Sequence, residues 1–495
     1  MIFDEENFPV LPKSWTTVPV EYACLNLPVR TKVPSKSYLQ AGALPVIDQG
    51  VGLIGGYTDN VSLSVTNELP VVVFGDHTRA LKFVDFSFAA GADGVKVLRP
   101  NGLFVPKVFY RFLQAVRLPD KGYARHFQHL RSSQVALPPL GEQKRIADKL
   151  DSVLARVDAC RDRLDRVAPL IKRFRQAVLV AAMSGRLTKD WRMNQSAEGM
   201  NAEMLLREVQ AIKLKWAADN ANHNEARRVA RRAKSFGSRN HVAGSLPDGW
   251  QWVALEDAAL MIVDCHNKTA PYEPQGIPLV RTSNIRQGRL VWEDMRYVSE
   301  ETYAYWSKRC KPEAGDLVFT REAPMGEIAQ IPPGTRVCLG QRTMLFRPVH
   351  SLISSRYLLI AISDPTFKSR SESAAVGTGV KHLRVGDVSE LLLPIPSAEE
   401  QREIVRRVDE LFSIADRLEA RLTCARTAAE RLTPAILAKA FCGGLVAQDP
   451  NDEPAAELLK RLQGDRMVVP NGKETSLSRR PQRASHKRAF EDVAA

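Results

Sequence analysis

Arg281, Asn284, Arg286, Gln287 and Arg289 crowd into one short stretch that no acidic residue interrupts. These side chains can hold nucleic acid: arginine grips guanine through two acceptors, asparagine and glutamine do the same for adenine, and lysine mostly finds phosphate. Arg321, Gln341, Arg342, Lys381, His382 and Arg384 continue the set further along, and Lys32, Lys36, His77, Thr78, Arg79, Lys82 and Arg125 form a looser group near the amino terminus. Taken as groups near loops they are candidate DNA contacts. Taken singly, each reads as well as a solvated surface charge. The net charge of +14 over 495 residues, with a pI near 9.5, points the same way, because clustered cations gain affinity for phosphates by releasing counterions.

Side-chain patterns for covalent chemistry are missing. There is no G-x-x-x-x-G-K-[ST], and the glycine-rich run from Gly50 to Gly56 lacks the lysine that would hold phosphates. Asp364-Pro365-Thr366-Phe367 imitates an amino-methyltransferase tetrad, but its third residue is not proline and no G-x-G loop accompanies it. The 9 histidines form no H-x-x-x-H pair, and the 7 cysteines include no C-x-x-C, so no metal site is expected. An odd number of cysteines suggests free thiols in a reducing compartment. No apolar run approaches the roughly 20 residues needed to span a bilayer. Met1 to Glu6 carries acids rather than a secretory pattern. The expectation is a soluble, cytoplasmic chain without membrane contact.

Positioning such residues requires a scaffold, and the scaffold is written twice. Pro138 to Leu187 recurs without a gap between Pro396 and Leu445; Glu142, Gln143, Asp151, Asp158, Arg173, Ala182 and Gly185 fall on Glu400, Gln401, Asp409, Asp416, Arg431, Ala440 and Gly443. Within the first copy Ile146, Leu150, Val153, Val157, Cys160, Leu164, Val167, Ile171, Phe174 and Val178 alternate steps of four and three. The second copy repeats the seam at Ile404, Val408, Leu411, Ala415, Leu418, Leu422, Ala425, Ala429, Leu432 and Ile436. Such heptad spacing predicts two long helices whose apolar stripes pack on each other. Pro169 and Pro434 predict a kink or local break in each. Pro119-Asp120 followed by Glu142-Gln143-Lys144 mimics a nuclease spacing, yet Glu142 opens the helix, where an acid favours the dipole, and its repeat partner Glu400 is followed by no lysine.

Around the repeats lie two segments rich in Pro, Gly and short β-branched runs: Val71 to Phe74 and Val95 to Leu98 in the first, Ile277 to Val280, Leu317 to Thr320 and Met344 to Phe346 in the second. They open similarly, on Leu11-Pro12-Lys13-Ser14-Trp15 and Leu246-Pro247-Asp248-Gly249-Trp250. A polar, basic stretch from Asn201 to Lys234, with Arg227, Arg228, Arg231 and Arg232, separates the halves; its Leu205-Leu206-Arg207 is echoed by Leu458-Leu459-Lys460. The tail after Gly472 is polar and basic and is expected to be disordered.

Variable domain, helical unit opening on Pro and then Glu-Gln, second variable domain, second helical unit: this order resembles the specificity subunit of type I restriction-modification systems. The residues that carry the resemblance are Leu137-Pro138-Pro139-Leu140-Gly141-Glu142-Gln143 and Arg173 to Val178, with Leu393-Pro394-Ile395-Pro396, Glu400-Gln401 and Pro434 to Phe441. The Leu246 to Trp250 opening, Gly315-Asp316-Leu317-Val318 and Gly379-Val380-Lys381-His382-Leu383 add to it, and Gly122-Tyr123-Ala124-Arg125-His126 is related. The first domain departs by opening without the Gly, and the long basic insert before Ser245 is atypical.

The resemblance implies an α+β/α fold: two mixed α/β target-recognition domains (1–137 and 246–395) joined by two helical repeats (138–190 and 396–447) that form an antiparallel coiled coil with a pseudo-two-fold. A basic helical linker (191–245) and a short helix with a basic tail (448–495) complete the division. It also implies that each domain reads one half of an asymmetric, bipartite double-stranded DNA site while the helices act as a ruler for the spacer. A helix of about 40 residues rises roughly 60 Å, enough for domains about one duplex turn, roughly 34 Å, apart. Catalysis would belong to other chains: adenine methylation to two modification subunits that bind S-adenosylmethionine, ATP- and Mg-dependent translocation and cleavage to restriction subunits. This chain would bind no cofactor itself. Two alternatives stay open on the residues alone: a non-enzymatic coiled-coil scaffold with nonspecific nucleic-acid binding, and a self-contained nuclease or methyltransferase.

Overall fold

The computed structural model describes residues 10–29, 31–91, 94–116, 118–119, 124–195, 201–235, 245–266, 268–377 and 381–467. The first α/β domain comprises β1 (Thr16–Pro19), α1 (Val20–Ala23), β2 (Cys24–Leu27), β3 (Leu44–Ile47), β4 (Gly56–Thr58), β5 (Ser64–Val65), β6 (Val71–Gly75), β7 (Leu81–Val84), β8 (Phe88–Ala90), β9 (Val95–Pro100), α2 (Pro106–Leu113), α3 (Phe127–Ser132) and β10 (Gln134–Leu137). The long helix α4 (Leu140–Met183) follows, then α5 (Lys189–Met193), α6 (Ala202–Asp219) and α7 (Ala226–Lys234). The second domain comprises β11 (Gln251–Ala254), α8 (Leu255–Ala258), β12 (Ala259–Asp264), β13 (Ile277–Val280), β14 (Ile285–Arg286), β15 (Arg289–Leu290), β16 (Arg296–Val298), α9 (Glu300–Trp306), β17 (Leu317–Thr320), β18 (Ile328–Gln330), β19 (Cys338–Leu339), β20 (Thr343–Pro348), α10 (Ser355–Ser363), α11 (Pro365–Ala374), α12 (Val385–Glu390) and β21 (Leu392–Ile395). The second long helix α13 (Ala398–Phe441) and α14 (Ala455–Met467) close the chain.

The two domains share a core topology although their sequences differ, and the second adds the β14–β15 hairpin. An antiparallel sheet runs β2-β9-β6-β7 in the first and β12-β20-β17-β18 in the second. Beside it lies a sheet with one parallel pair, β3 with β8 and β13 with β19. The central strands are apolar on both faces because each face has its own core. Val72 and Phe74 enter one cluster and Val71 and Val73 another, as the period of two dictates. Leu317 and Phe319 likewise part from Val318. Each domain is closed at its base by its first and last strands, β1 on β10 and β11 on β21, immediately before a long helix.

By contacts the chain divides into residues 1–162 with 426–495, and residues 163–425. In the first unit the domain core continues into the start of α4 (Ile146, Leu150, Leu154), the end of α13 (Leu437, Ala440, Phe441) and α14 (Leu458). Phe441 meets Phe112 edge-on at 4.4 Å. The second unit is built alike, its core joining the end of α4 (Val178, Leu179, Ala182, Met183), α6 (Leu205, Leu206, Val209) and the start of α13 (Ile404, Val408). The Leu-Leu echo thus marks equivalent helices. The backbone agrees: Ala455 N–H donates to Ser14 O at 2.9 Å, and Ala202 N–H to Gly249 O at 3.0 Å, each acceptor preceding the domain's opening tryptophan.

The long helices run antiparallel within each unit. In the second, Ile171 packs with Ala415 and Leu422, and Arg175 bonds Asp416 at 2.6 Å and Glu419 at 3.1 Å. In the first, the Arg161 guanidinium donates to Ala429 O at 3.0 Å. At its two ends the expected seam merges with the domain cores. Ile146 and Leu150 bury in one cluster with Leu437, Ala440 and Phe441 of α13, and Ile404 and Val408 in one with Val178, Leu179 and Ala182 of α4. Leu418, Leu432 and Phe174 are exposed, as is Cys160. A straight helix drifts about 20° per heptad against a strict seven-residue pattern, so a stripe this long leaves some of its positions in solvent.

Both helices run on through their prolines, so of the expected kink or local break the break does not form. Pro434 removes the N–H that Glu430 O would accept, and the Arg161 guanidinium lies 3.5 Å from that carbonyl. Pro169 sits on the exposed side of α4, where water can replace the bond. The basic stretch between the halves packs onto the second domain: Lys213 Nζ donates to Glu256 O at 2.6 Å, and Arg232 and Arg309 pair with the buried carboxylates of Glu256 and Glu225 at 3.2 and 2.8 Å. The tail after Gly472 lies outside the described residues.

Candidate nucleic-acid interface

Four loops converge at one end of each domain. In the second they are the segment after β13, the β17–β18 turn, the β19–β20 turn and the strip before α12. Gly340 N–H donates to Val280 O at 2.8 Å, Arg321 N–H to Arg342 O at 2.9 Å, and Leu383 N–H to Arg321 O at 3.0 Å. Arg281, Arg321, Gln341, Arg342, His382 and Arg384 are therefore neighbours. In the first domain the same loops meet through Asp76 N–H to Gly94 O at 2.7 Å and His126 N–H to Asp76 O at 2.9 Å, which gathers His77, Thr78, Arg79 and Arg125. Thr78 Oγ1 ties this turn to Gln49 O at 2.5 Å.

Strain concentrates here. Arg79, Gln287 and Arg342 hold positive φ of 62°, 50° and 70°, a region that disfavours residues with a Cβ by about 1–3 kcal/mol. At Gln287-Gly288 (φ 50° and 82°) the left-handed pair makes the tight turn between β14 and β15. That hairpin presents Arg286, Gln287 and Arg289 to solvent, with Gln287 N–H bonded to Glu327 Oε2 at 2.9 Å.

Two sequence candidates face inward. Lys82 is buried against Asp48 at 3.3 Å; burial lowers its pKa, and the Asp48 hydrogen bond and charge oppose that shift. Asn284 is buried, its amide donating to Val291 O at 3.2 Å and its Oδ1 accepting from Arg281 N–H at 3.2 Å. Both are spent on internal bonds, a use that the residue type cannot reveal. Lys32 leans back to donate to Val95 O at 3.1 Å, Lys36 is exposed in a short 3-10 turn, and Lys381 is exposed. Thr378, Gly379 and Val380, like Gly122 and Tyr123, lie outside the described residues. Among the described residues no three His, Cys, Asp or Glu side chains group in a way that could hold a metal, and no helix is long and apolar enough to cross a membrane.

The Glu-Gln pair that opens each long helix is a joint. Trp15 Nε1–H donates to Glu142 Oε2 at 2.7 Å, and Trp250 Nε1–H to Glu400 Oε2 at 2.8 Å. Gln143 Oε1 accepts from Val105 N–H at 2.7 Å, and Gln401 Oε1 from Ser354 N–H at 3.0 Å, in both cases just before the domain's principal helix, α2 or α10. Glu142 also takes a hydrogen bond from Gln448, while Glu400 takes one from Thr188 Oγ1 at 2.7 Å and pairs with Arg192. The nuclease-like spacing at Glu142 is thus structural, and so is the tetrad-like one: Asp364 Oδ2 caps α11 by accepting from Thr366 and Phe367 N–H at 3.0 and 3.2 Å.

Burial holds the Glu142 carboxyl above its ordinary range, against the hydrogen bonds of Trp15 and Gln448 and the charge of Arg145. A carboxyl raised in this way binds its proton more tightly folded than unfolded, so its contribution to stability falls as pH rises from the unfolded value of about 4.3 through the folded one. Glu142→Gln is expected to gain stability relative to the parent between pH 4 and pH 7. Urea midpoints at the two pH values check this; a gain in the opposite direction would show that the bonds outweigh the burial.

Two like α/β domains, each docked by an equivalent Trp-Glu joint on a pair of antiparallel helices, define a scaffold for two separate recognition surfaces. Residues 247–423 match the family described as "Type I restriction modification DNA specificity domain". The chain is 30% identical to the type I restriction enzyme EcoBI specificity subunit of Escherichia coli over 70% of this chain and 67% of that one. It is 24% identical to the StySPI specificity subunit of Salmonella potsdam over 94% and 98%. A solved structure described as "Structural basis underlying complex assembly and conformational transition of the type I R-M system" matches the fold with a TM-score of 0.53 at 17% identity, over 88% of this chain and 99% of that one. The chain belongs to the family of type I restriction enzyme specificity subunits.

Proposed function

We propose that this chain reads an asymmetric, bipartite double-stranded DNA site, one half with each α/β domain, and directs adenine methylation or ATP-dependent cleavage by partner subunits. The chain is the non-catalytic, sequence-reading member of its complex. Residues 1–137 and 246–395 are the two reading domains, and 138–190 and 396–447 the helical repeats that space them. The partners are two modification subunits, which supply the S-adenosylmethionine chemistry, and restriction subunits, which supply ATP and Mg chemistry. The observation that carries this reading is the pair of equivalent loop clusters: one core topology, repeated, with different residues in the same four loops. A scaffold with nonspecific adhesion would have no use for two differently furnished clusters.

Arg286→Glu with Arg289→Glu tests it on the assembled complex. Among the described residues Arg286 donates only to the backbone carbonyls of Thr282 and Ile285, and the exposed Arg289–Asp416 pair at 3.5 Å contributes little to stability. The double variant is expected to weaken specific binding roughly 10- to 100-fold and to reduce the salt slope by about 2. The footprint should be lost over one half-site and kept over the other. An unchanged slope, or equal loss over both halves, would refute the assignment.

A further inference from the structure

The glycine-rich run of the first domain lacks the lysine that would hold phosphates. It forms the loop from Asp48 to Gly55 between β3 and β4, and its tip carries three apolar side chains held in water: Val51 is 97% exposed, Leu53 46% and Ile54 40%. The loop is anchored at its base. Asp48 Oδ1 accepts from Gly50 N–H at 2.9 Å and from the buried Lys82 at 3.3 Å, Gly55 N–H donates to Val46 O at 2.9 Å, and Thr78 Oγ1 holds Gln49 O at 2.5 Å. Glycine at 55 is required by this anchor, since a Cβ there would lie 2.4 Å from Asp48 Oδ2. The fold therefore fixes the base of the loop against Thr78 and leaves the apolar tip in solvent.

The topologically equivalent loop of the second domain, after β13, carries Arg281 to Arg289 in place of these apolar residues. The loop at this position is thus cationic in the second reading domain, where Trp292 is also exposed, and uncharged at its tip in the first. In the major groove the apolar group that a base pair offers is the C5-methyl of thymine; the other edges present donors and acceptors. We propose that Val51, Leu53 and Ile54 read thymine methyl groups in the half-site of the first domain, as specificity-determining contacts. The inference rests on the DNA-reading function above and adds what this domain reads.

The test uses the complex of this chain with its modification subunits and duplexes carrying its mapped site, with deoxyuridine replacing thymine in one half-site at a time. Deoxyuridine keeps the base pairing and removes only the methyl. Substitution in the first domain's half-site is expected to weaken binding about 4- to 20-fold, and the Val51→Ser, Leu53→Ser, Ile54→Ser variant to bind thymine and deoxyuridine duplexes alike there. Its footprint on the other half-site should match the parent's, which shows that it is folded. The proposal is overturned if the parent is indifferent to the methyl in that half-site or if the variant still discriminates. It is overturned equally if the variant loses its modification subunits while the discrimination persists, which would make the tip a protein contact. Absence of any sequence-selective footprint with the parent complex would instead sink the DNA-reading function itself.

Discussion

Deletion of residues 155–161 together with 429–435 is expected to shorten the spacer between the two half-sites by about 3 base pairs and to leave both half-sites unchanged. Seven helical residues rise about 10 Å, and duplex DNA rises about 3.4 Å per base pair. The two segments are chosen because they face each other in the antiparallel pair: Arg161 at one end of the first donates to Ala429 O at 3.0 Å at the start of the second. Removing both takes away the donor, its acceptors and Pro434 at once, and a seven-residue step keeps the apolar positions in phase. Deleting 155–161 alone is expected to abolish sequence-specific binding, because the register of the helices would then fail on one side. Sequencing the methylated sites of a host that carries the altered complex reads the spacer directly. An unchanged spacer in the double deletion would eliminate the ruler role.

Glu400→Ala is expected to cost about 3–5 kcal/mol, the scale of breaking a buried ion pair. The Glu400 side chain is 5% exposed, and the substitution strands the Arg192 guanidinium, the Trp250 indole N–H and the Thr188 hydroxyl in a site built around one carboxylate. Arg192 is still 24% exposed, which places the cost toward the lower end. The equivalent Glu142→Ala removes hydrogen bonds from Trp15 and Gln448, both neutral groups, and is expected to cost about 1–3 kcal/mol. The two joints occupy the same place in the repeat yet should respond unequally. Calorimetric unfolding of the two variants decides the matter, and a cost at Glu400 no larger than at Glu142 would show that the Arg192 pair adds nothing.

Much of the architecture was legible because helices announce themselves by periodicity. The gap-free repeat located α4 and α13, and the Leu-Leu echo marked α6 and α14. The runs at Val71, Val95, Ile277, Leu317 and Met344 fall on β6, β9, β13, β17 and β20. Loops were less legible. Lys82 and Asn284 have the composition of surface contacts but are consumed inside their domains, while Val51, Leu53 and Ile54 have the composition of a core and stand in solvent. Lys82 is turned inward by its place in β7, on the same buried face as Val84, whereas Asn284, Val51, Leu53 and Ile54 lie outside any strand or α-helix that would fix the direction of the side chain. Arg228 and Arg232 show the same limit: read as part of a basic run, they pair with buried acids at 3.6 and 3.2 Å.

The sequence by itself determined that the chain holds two copies of one helical unit, that each follows a mixed α/β domain, and that its charge suits a polyanion; these follow from spacing and composition, which survive any folding. Only the tertiary structure decided what the Glu-Gln pairs do, how long the helix seam is, and which side chains reach the open loops. Those depend on distances between segments far apart in the chain, Trp15 and Glu142 or Asp48 and Lys82, and a local pattern of residues carries no record of which distant segment will meet it.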